Sequence, residues 1–386
     1  MNRRLSILLL VCGLVPPARA SNLTVLHTFG GHDDGARPMT VVVDGARLFG
    51  ITKTSGEADG GTVFRLQTDG SGFRTLHSFD GSKPKGNTGY GPNSLTLDGS
   101  TLYGTTLYGG PALGLNQGGT IFKVNTDGSG FRMLHAFTTS SEGGYCPGPG
   151  LVVIGDFLYG MTSVGGAMFR INKDGSALGI VHSFSRADVH GRLSGTPVFD
   201  SPTFFAMSAP EAWTGKGAVF RVSKDGTGFE VLHSFAGNCR SNAWWYPGAL
   251  VLAGSTIYGA TSWGGSTGQG TLFRVNTDGT GFKVLHPFDG GLGNMDRPTR
   301  SLTFDGSILY GTTGDGGTLG YGTIFSVNTD GSGFKVVYSF GGYPDAKVPL
   351  GLTLAGSTLY GTTEMSGIGT AGTVFSFPTR RTGRDK

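Results

Sequence analysis

Residues Gly270–Phe288 read GTLFRVNTDGTGFKVLHPF, and this stretch decides the fold. Aromatic and β-branched residues alternate with polar ones on either side of Asp278-Gly279, at the period of two that a strand requires. Asp-Gly at the centre favours a tight hairpin, because glycine takes positive φ without steric cost. Near-copies begin at Gly61, Gly119, Gly166, Gly217 and Gly322, and the first half returns at Gly372. The turn pair recurs at Asp69-Gly70, Asp127-Gly128, Asp174-Gly175, Asp225-Gly226 and Asp330-Gly331. A period of roughly fifty residues suits a four-stranded propeller blade and is too long for one coil of a β-helix.

Two more strands are expected upstream in each unit. The first is a short apolar run such as Ser94–Leu97 or Ser301–Phe304, usually preceded by proline. The second is Leu-Tyr-Gly-Thr-Thr, at Leu102, Leu309 and Leu359, with variants at Leu48, Leu158, Phe204 and Ile257. Seven sets of first, second and third strands are present, but only six fourth strands follow one. The missing fourth strand is expected in Thr24–Phe29 (TVLHTF), at the opposite end of the chain. The sequence thus predicts an all-β, seven-bladed β-propeller of four antiparallel strands per blade, closed when this N-terminal strand completes the last blade. Closure removes open sheet ends that would otherwise offer unpaired backbone.

Two phenylalanine sets serve this design. One stands in the third strands (Phe64, Phe122, Phe169, Phe220, Phe273, Phe325, Phe375) and one ends the fourth (Phe29, Phe79, Phe137, Phe184, Phe235, Phe288, Phe340). Both are expected to pack between neighbouring blades. Pro287 in a fourth strand fits the outer position, where an absent N–H costs no ladder bond.

A chain of 386 residues would usually suggest two domains, but counting repeats gives one propeller over residues 21–378. Its 71 glycines reflect turns, since no Gly-X-Y period is present. Residues 1–20 are expected to be a secretory signal peptide: Arg3 and Arg4, an apolar core at Leu5–Val15, then Ala18-Arg19-Ala20. The apolar run is too short for a permanent membrane anchor, and no later segment could cross a bilayer, so a secreted or periplasmic protein is expected. Without Arg3, Arg4 and Arg19 the formal charge falls from +4 to +1. Residues 379–386 read as a disordered basic tail. Cys146 and Cys239 remain after the leader, and an oxidising compartment would permit a disulfide if their Cα atoms came within roughly 7 Å.

The unit built from Leu102–Thr106, Gly119–Phe122, Asn125–Phe131 and Leu134–Phe137, with parallels along the chain, resembles the Gloeobacter–Verrucomicrobia (GloVer) tandem repeat of exported bacterial proteins. The resemblance implies an exported, propeller-like protein and supplies neither activity nor catalytic residues. Many such proteins carry a C-terminal surface-sorting segment; the ending TRRTGRDK shows none, which argues against surface attachment. Blade 4 departs from the pattern, with Phe204-Phe205-Ala206 in place of Leu-Tyr-Gly.

Most candidate chemistry in this chain is repeat chemistry. His27, His77, His135, His182, His233 and His286 share one repeat position, with Tyr338 at the seventh. Equivalent positions on different blades are dispersed around a ring and cannot share one ion, so buried histidines bonded to a neighbouring blade are expected. The turn aspartates, and Asp44, Asp98, Asp156, Asp200 and Asp305 between first and second strands, read as turn formers. They lack the further acidic ligands of a calcium loop. Arg65, Lys123, Arg170, Arg221 and Arg274 recur in third strands, and near-neutral charge with export argues against nucleic acid as a partner. No metal and no cofactor is expected.

The residues that break the repeat point to function. Trp213 and Trp263 lie between second and third strands, and Trp244-Trp245-Tyr246, with Arg240 and Asn242 beside them, between fourth and first. In a propeller both connections open on one face. Exposed aromatics with adaptable polar neighbours suit flat, hydroxyl-rich ligands such as glycans, or a cell-envelope protein. His32-Asp33-Asp34, Asp188 with His190, Glu211, Asp296, Asp315, Asp345 and Glu364 fall in same-face loops. A carboxylate pair for polysaccharide cleavage could assemble from them. No phosphate loop, paired-cysteine metal site or nucleophile elbow is present, and no catalytic residue is assigned. The leading expectation is a monomeric, secreted binding module. A polysaccharide-degrading enzyme working at the central mouth is the second, and a structural surface protein the third.

Overall fold

The computed structural model describes residues 22–81, 88–110, 118–138, 144–189, 191–210, 217–235, 247–289, 297–342, 346–365 and 371–379. They form seven antiparallel sheets around a central axis. In chain order, blade 1 comprises Ala36–Asp44, Arg47–Thr54, Asp59–Gln67 and Arg74–Asp80. Blade 2 comprises Tyr90–Asp98, Thr101–Tyr108, Thr120–Asn125 and Arg132–Ala136. Blade 3 opens on two short pieces, Tyr145–Pro147 and Val152–Ile154, both paired with Phe157–Val164, then Ala167–Asn172 and Gly179–Ser183. Blade 4 comprises Gly191–Asp200, Thr203–Pro210, Gly217–Ser223 and Glu230–Phe235. Blade 5 comprises Pro247–Ala253, Thr256–Thr261, Thr271–Asn276 and Lys283–Pro287. Blade 6 comprises Pro298–Phe304, Ile308–Thr313, Thr323–Asn328 and Lys335–Ser339. Blade 7 comprises Lys347–Ala355, Thr358–Met365 and Thr373–Pro378, and Thr24–Thr28 completes it. The first strands touch one another around the axis and are innermost. Before blade 4 one helical turn, Arg186–Val189, is the only helix among the described residues.

The ring closes as the repeat count predicts. Thr24 faces Ser376, Val25 faces Phe375, and Thr28 faces Thr373, antiparallel. Pro287 stands on an outer strand, with no neighbour beyond it in its sheet. Proline also lies within the innermost strands of all seven blades (Pro38, Pro92, Pro147, Pro197, Pro247, Pro298 and Pro349), where the sequence had placed it just ahead of the apolar run. In blades 1, 2, 5, 6 and 7 the ladder shifts register after Pro38, Pro92, Pro247, Pro298 and Pro349. An innermost strand pairs on one side alone, so a bulge with an absent donor costs it little.

Repeat glycines are placed by these prolines and phenylalanines. Gly119, at φ +103°, opens the third strand of blade 2, and a Cβ there would stand 2.5 Å from Pro147 Cδ of blade 3. Gly61, Gly322 and Gly372 meet Pro92, Pro349 and Pro38 in the same way. The glycine of Leu-Tyr-Gly makes room for the third-strand ring: on Gly104 a Cβ would lie 2.3 Å from Phe122 Cζ and 2.6 Å from the Ser94 carbonyl. Blade 4 carries Ala206 here, and its third-strand ring meets the ring after the turn at a different angle. Phe220 meets Phe229 at 56°, whereas the same pair meets at 28° in blade 1, 27° in blade 2 and 30° in blade 6. Gly104→Ala is therefore expected to lower stability by about 2–3 kcal/mol, and Ala206→Gly by much less, both read from urea melts.

Both phenylalanine sets pack between blades. Each fourth-strand ring meets the third-strand ring of the next blade with centroids 5.0 Å apart at Phe79–Phe122 and 5.5 Å at Phe340–Phe375. The closing contact, Phe29–Phe64, is 5.2 Å. A third aromatic set was not singled out from the sequence: the phenylalanine that follows five of the six Asp-Gly turns (Phe73, Phe131, Phe229, Phe282 and Phe334), blade 3 carrying Leu178 there. It receives the repeat histidine of the preceding blade in a stack, at 3.4 Å for His77–Phe131 and His233–Phe282, 3.5 Å for His286–Phe334 and 3.8 Å for His27–Phe73. The expected hydrogen bond to a neighbouring blade is made by His182, whose Nδ1 lies 2.9 Å from the Gly226 carbonyl. For His27, His77, His233 and His286 stacking is the main inter-blade contact, while His135 faces a blade that carries Leu178 in place of the phenylalanine. Blade 7 has no such turn of its own, and buried Leu23 joins the cluster beside Tyr338 instead.

The turn aspartates behave as turn formers. Asp69 Oδ1 accepts the Ser71 N–H at 2.8 Å, and Asp127, Asp174, Asp225, Asp278 and Asp330 repeat the arrangement. Those bonds hold each carboxyl below the usual range. Strand threonines pair in the interior, as in Thr52 Oγ1 and Thr62 Oγ1 at 2.9 Å and Thr363 Oγ1 and Thr373 Oγ1 at 2.8 Å. Third-strand cations are used locally: Arg221 bonds Glu230 and the Thr277 carbonyl of blade 5, and Arg170 covers Phe157.

Candidate functional site at the central mouth

The innermost strands surround a cavity of about 750 Å³ that opens on the face carrying the second-to-third and fourth-to-first connections. Leu95, Leu250, Leu302 and Leu352 line its wall. Side chains on the innermost strands spend much of their polarity joining blades. Asn93 Nδ2 donates to the Pro147 carbonyl at 3.1 Å, Ser301 Oγ to the Leu352 carbonyl at 3.1 Å, and Thr353 Oγ1 to the Val41 carbonyl at 2.7 Å.

Two kinds of position bring ionisable groups to the mouth. Arg37 and Arg297 precede the prolines near the start of the innermost strands of blades 1 and 6. Lys53, Trp263, Asp315 and Glu364 stand at or just past the ends of second strands. Arg37 takes a left-handed backbone, φ 59°, and its N–H donates to the Ala371 carbonyl at 2.8 Å. Its guanidinium pairs with Glu364 across the seam between blades 1 and 7. Arg297 lies over the Trp263 ring, Cζ 3.4 Å from the centroid. This stack is tethered twice: Ser262 Oγ donates to the Pro298 carbonyl at 2.7 Å, and the Gly314 N–H to the Arg297 carbonyl at 2.9 Å. Burial pushes the Asp315 carboxyl up, and nearby Arg297 opposes that shift. Burial likewise pulls the Arg297 guanidinium down, and Asp315 opposes it. Each charge is thus less well solvated than at an open surface, and each helps hold the other ionised.

Of the expected ligand-binding residues, Trp263 is at this mouth. Trp213, Arg240, Asn242, Trp244, Trp245 and Tyr246 lie outside the described residues. Of the acidic candidates, Asp315 and Glu364 converge on the cavity. Asp34 does not: it accepts the Gly30 N–H at 2.8 Å and contacts His27 Nε2 at 3.3 Å. Asp188 caps the helical turn by accepting the Ser185 N–H at 2.9 Å. Glu211, His190, Asp296 and Asp345 lie outside the described residues. Arg37, Lys53 and Arg297 were not among the residues picked from sequence. The signal available was positional, since arginine precedes proline near the start of an innermost strand twice, while the other repeats carry other residues there. Cys146 is half-buried, with its thiol pushed up by burial; Cys239, the other half of the expected disulfide, lies outside the described residues. Among the described residues no three His, Cys, Asp or Glu side chains are grouped to hold a metal ion, and no helix is long and apolar enough to cross a membrane.

Among solved structures the chain is similar to a puromycin hydrolase, at 14% identity and a TM-score of 0.59, covering 90% of this chain and 52% of that one. It is also similar to a puromycin-hydrolyzing peptidase of Mycobacterium tuberculosis, at 14% identity and a TM-score of 0.56, covering 91% and 53%. A computationally designed protein, Ika8, matches at 12% identity and a TM-score of 0.50 over 92% of this chain and 99% of that one. The chain spans about half the length of the two peptidases, and at these identities the likeness is one of fold. No curated protein matches. The model of the Gloeobacter/Verrucomicrobia repeat matches residues 15–168 and 162–375, nearly the whole propeller, and the chain belongs to that family.

Proposed function

We propose that this propeller is an exported binding module that takes a glycan at its central mouth. The observation that carries the reading is the Trp263–Arg297 stack, set in a cavity of oligosaccharide size beside Thr40, Thr196, Lys53 and the Arg37–Glu364 pair. An aromatic ring with fixed polar groups around it matches the alternating apolar and hydroxyl faces of a sugar. The predicted leader, residues 1–20, supports export. On a glycan array, Trp263→Ala is expected to weaken binding at least tenfold, on the order of 1.4 kcal/mol, while the melting temperature stays within a few degrees. Undiminished binding by the triple variant Trp244→Ala, Trp245→Ala, Trp263→Ala would overturn the assignment.

A second reading rests on Asp315. A carboxyl raised by burial, sharing a cavity with the carboxylate Glu364, is the kind of pair that cleaves glycosidic bonds. It requires reducing-sugar release from some polysaccharide and loss of that release in Asp315→Asn; silence across a broad panel removes it.

A further inference from the structure

We propose that Asp34 makes the closing strand an acid-resistant latch: when the repeat histidines take up protons, the seam between blades 7 and 1 holds while the seam between blades 1 and 2 loosens. Six outer strands are joined to their own blade by an Asp-Gly hairpin, so a seam that loosens there can shut again without the strand leaving its sheet. Thr24–Thr28 has no such hairpin. It is held to blade 7 by its ladder with Thr373–Ser376 and by side-chain packing, and its covalent link runs to blade 1 instead. Loss of this strand opens the ring and leaves the edge of Thr373–Pro378 unpaired.

The closing seam is built differently from the next one. His27 stacks on Phe73 of blade 1 at 3.8 Å and meets Phe29 edge-on at 4.7 Å. It also has a carboxylate: Nε2 lies 3.3 Å from Asp34 Oδ2, with the two side chains 20% and 22% exposed. Asp34 is fixed in place before any proton arrives. Its Oδ2 accepts the Gly30 N–H at 2.8 Å, and its carbonyl accepts Thr62 Oγ1 of blade 1 at 3.3 Å. The Asp33 carbonyl accepts Thr75 Oγ1 at 3.2 Å, and the His32 carbonyl accepts the Gly56 N–H at 2.8 Å. The connection into blade 1 is thus pinned there, with its carboxylate against the closing strand. The other neighbours of His27 are uncharged: Phe29, Phe73 and, across the ladder, Val374. His77 has the same aromatic setting, with Phe79, Phe131 and, across the ladder, Val63. Among the described residues no charged group acts on it, and burial is the whole cause of its lowered basicity. A proton on His77 is therefore an isolated cation between phenyl rings, whereas on His27 it completes an ion pair with Asp34. Burial remains the larger influence on His27, so the latch weakens in acid, but less steeply than its neighbour.

The test is hydrogen exchange read by mass spectrometry on the full chain, corrected for the intrinsic rate, with peptides covering residues 22–29 and 74–80. Between pH 7 and 5 the second segment should lose protection about tenfold or more, and the first no more than about threefold. Asp34→Asn, which keeps an acceptor for Gly30 and removes the charge, should match the parent at pH 7. In acid its 22–29 segment should lose protection as steeply as 74–80. In a His27→Phe background, which keeps the stack, Asp34→Asn should add no pH dependence. Equal losses at the two segments of the parent overturn the inference. So does an Asp34→Asn chain with the parental slope at 22–29, or one weakened there equally at every pH, which marks a role in shape alone. Should Asp34→Asn fail to fold, the comparison of the two segments in the parent decides.

Discussion

A chain beginning at Gly30, without residues 22–29, should lose its cooperative thermal transition, or melt tens of degrees lower. That segment supplies the outer strand of blade 7, pairing Thr24–Thr28 with Thr373–Ser376. It also fills two blade interfaces. Leu23 and Val25 join the cluster that includes Tyr310, Phe340 and Phe375. Leu26 and Phe29 join the cluster that includes Val41, Leu48 and Phe64. Four apolar side chains at roughly 1.5–3 kcal/mol each amount to about 6–12 kcal/mol, an upper bound because unfolded chains already bury some surface. A folded domain typically holds only about 5–15 kcal/mol in total, so opening the ring removes a large share of it. A synthetic peptide of residues 22–30, added in excess, should restore part of the transition by occupying the vacated edge. A truncated chain that melts cooperatively at the temperature of the full one would mean that the ring does not depend on its closing strand.

The same arithmetic explains why the architecture could be read from the sequence. Strand period, Asp-Gly turns and the surplus first three strands are local features, and they leave one arrangement that pairs every fourth strand. Blade 4 shows the limit of that reading. Ala206 in place of glycine was visible, but its consequence, a third-strand ring at a different angle to Phe229, depends on the space around Phe220. The phenylalanine after five of the six turns was visible too. Its role as the platform for the preceding blade's histidine needed the rotation that brings neighbouring blades together.

The mouth was legible only in part. Trp263 stood out because tryptophan is rare in this chain and interrupts the repeat. Arg37 and Arg297 did not, since an arginine before proline carries no chemical signature until seven innermost strands converge on one axis. Asp315 and Glu364 were two among many loop carboxylates. What separates them from Asp34 and Asp188 is which way the fold turns them: toward the axis, or into a local bond with Gly30 or Ser185.

Acid should weaken the propeller well before its carboxylates titrate. Burial lowers the His77 imidazole from an ordinary 6.5 to about 4. The ring is stacked 3.4 Å from Phe131 and set edge-on to Phe79 at 4.7 Å, and its buried Nε2 has no hydrogen-bond partner among the described residues. A proton there would place a charge between two phenyl rings without water to solvate it. Burial lowers His233 and His286 as well, and lowers His27 against the opposing pull of Asp34. Between pH 6.5 and 4 the unfolded chain binds more protons at these sites than the folded one. Stability therefore falls with pH across that window, and His77 alone accounts for about 3 kcal/mol by pH 4. Below that value the histidine contribution is spent. The turn aspartates, held below 3.8 by their serine and threonine bonds, then begin to lose theirs. Urea melts at half-unit steps from pH 7 to 4 should show this slope. His77→Phe, which keeps a flat ring on Phe131 and removes the titration, should flatten it by about 3 kcal/mol while matching the parent chain at pH 7. A variant with the parental slope would place the acid sensitivity elsewhere, because no other change in His77→Phe touches a group that titrates in this range.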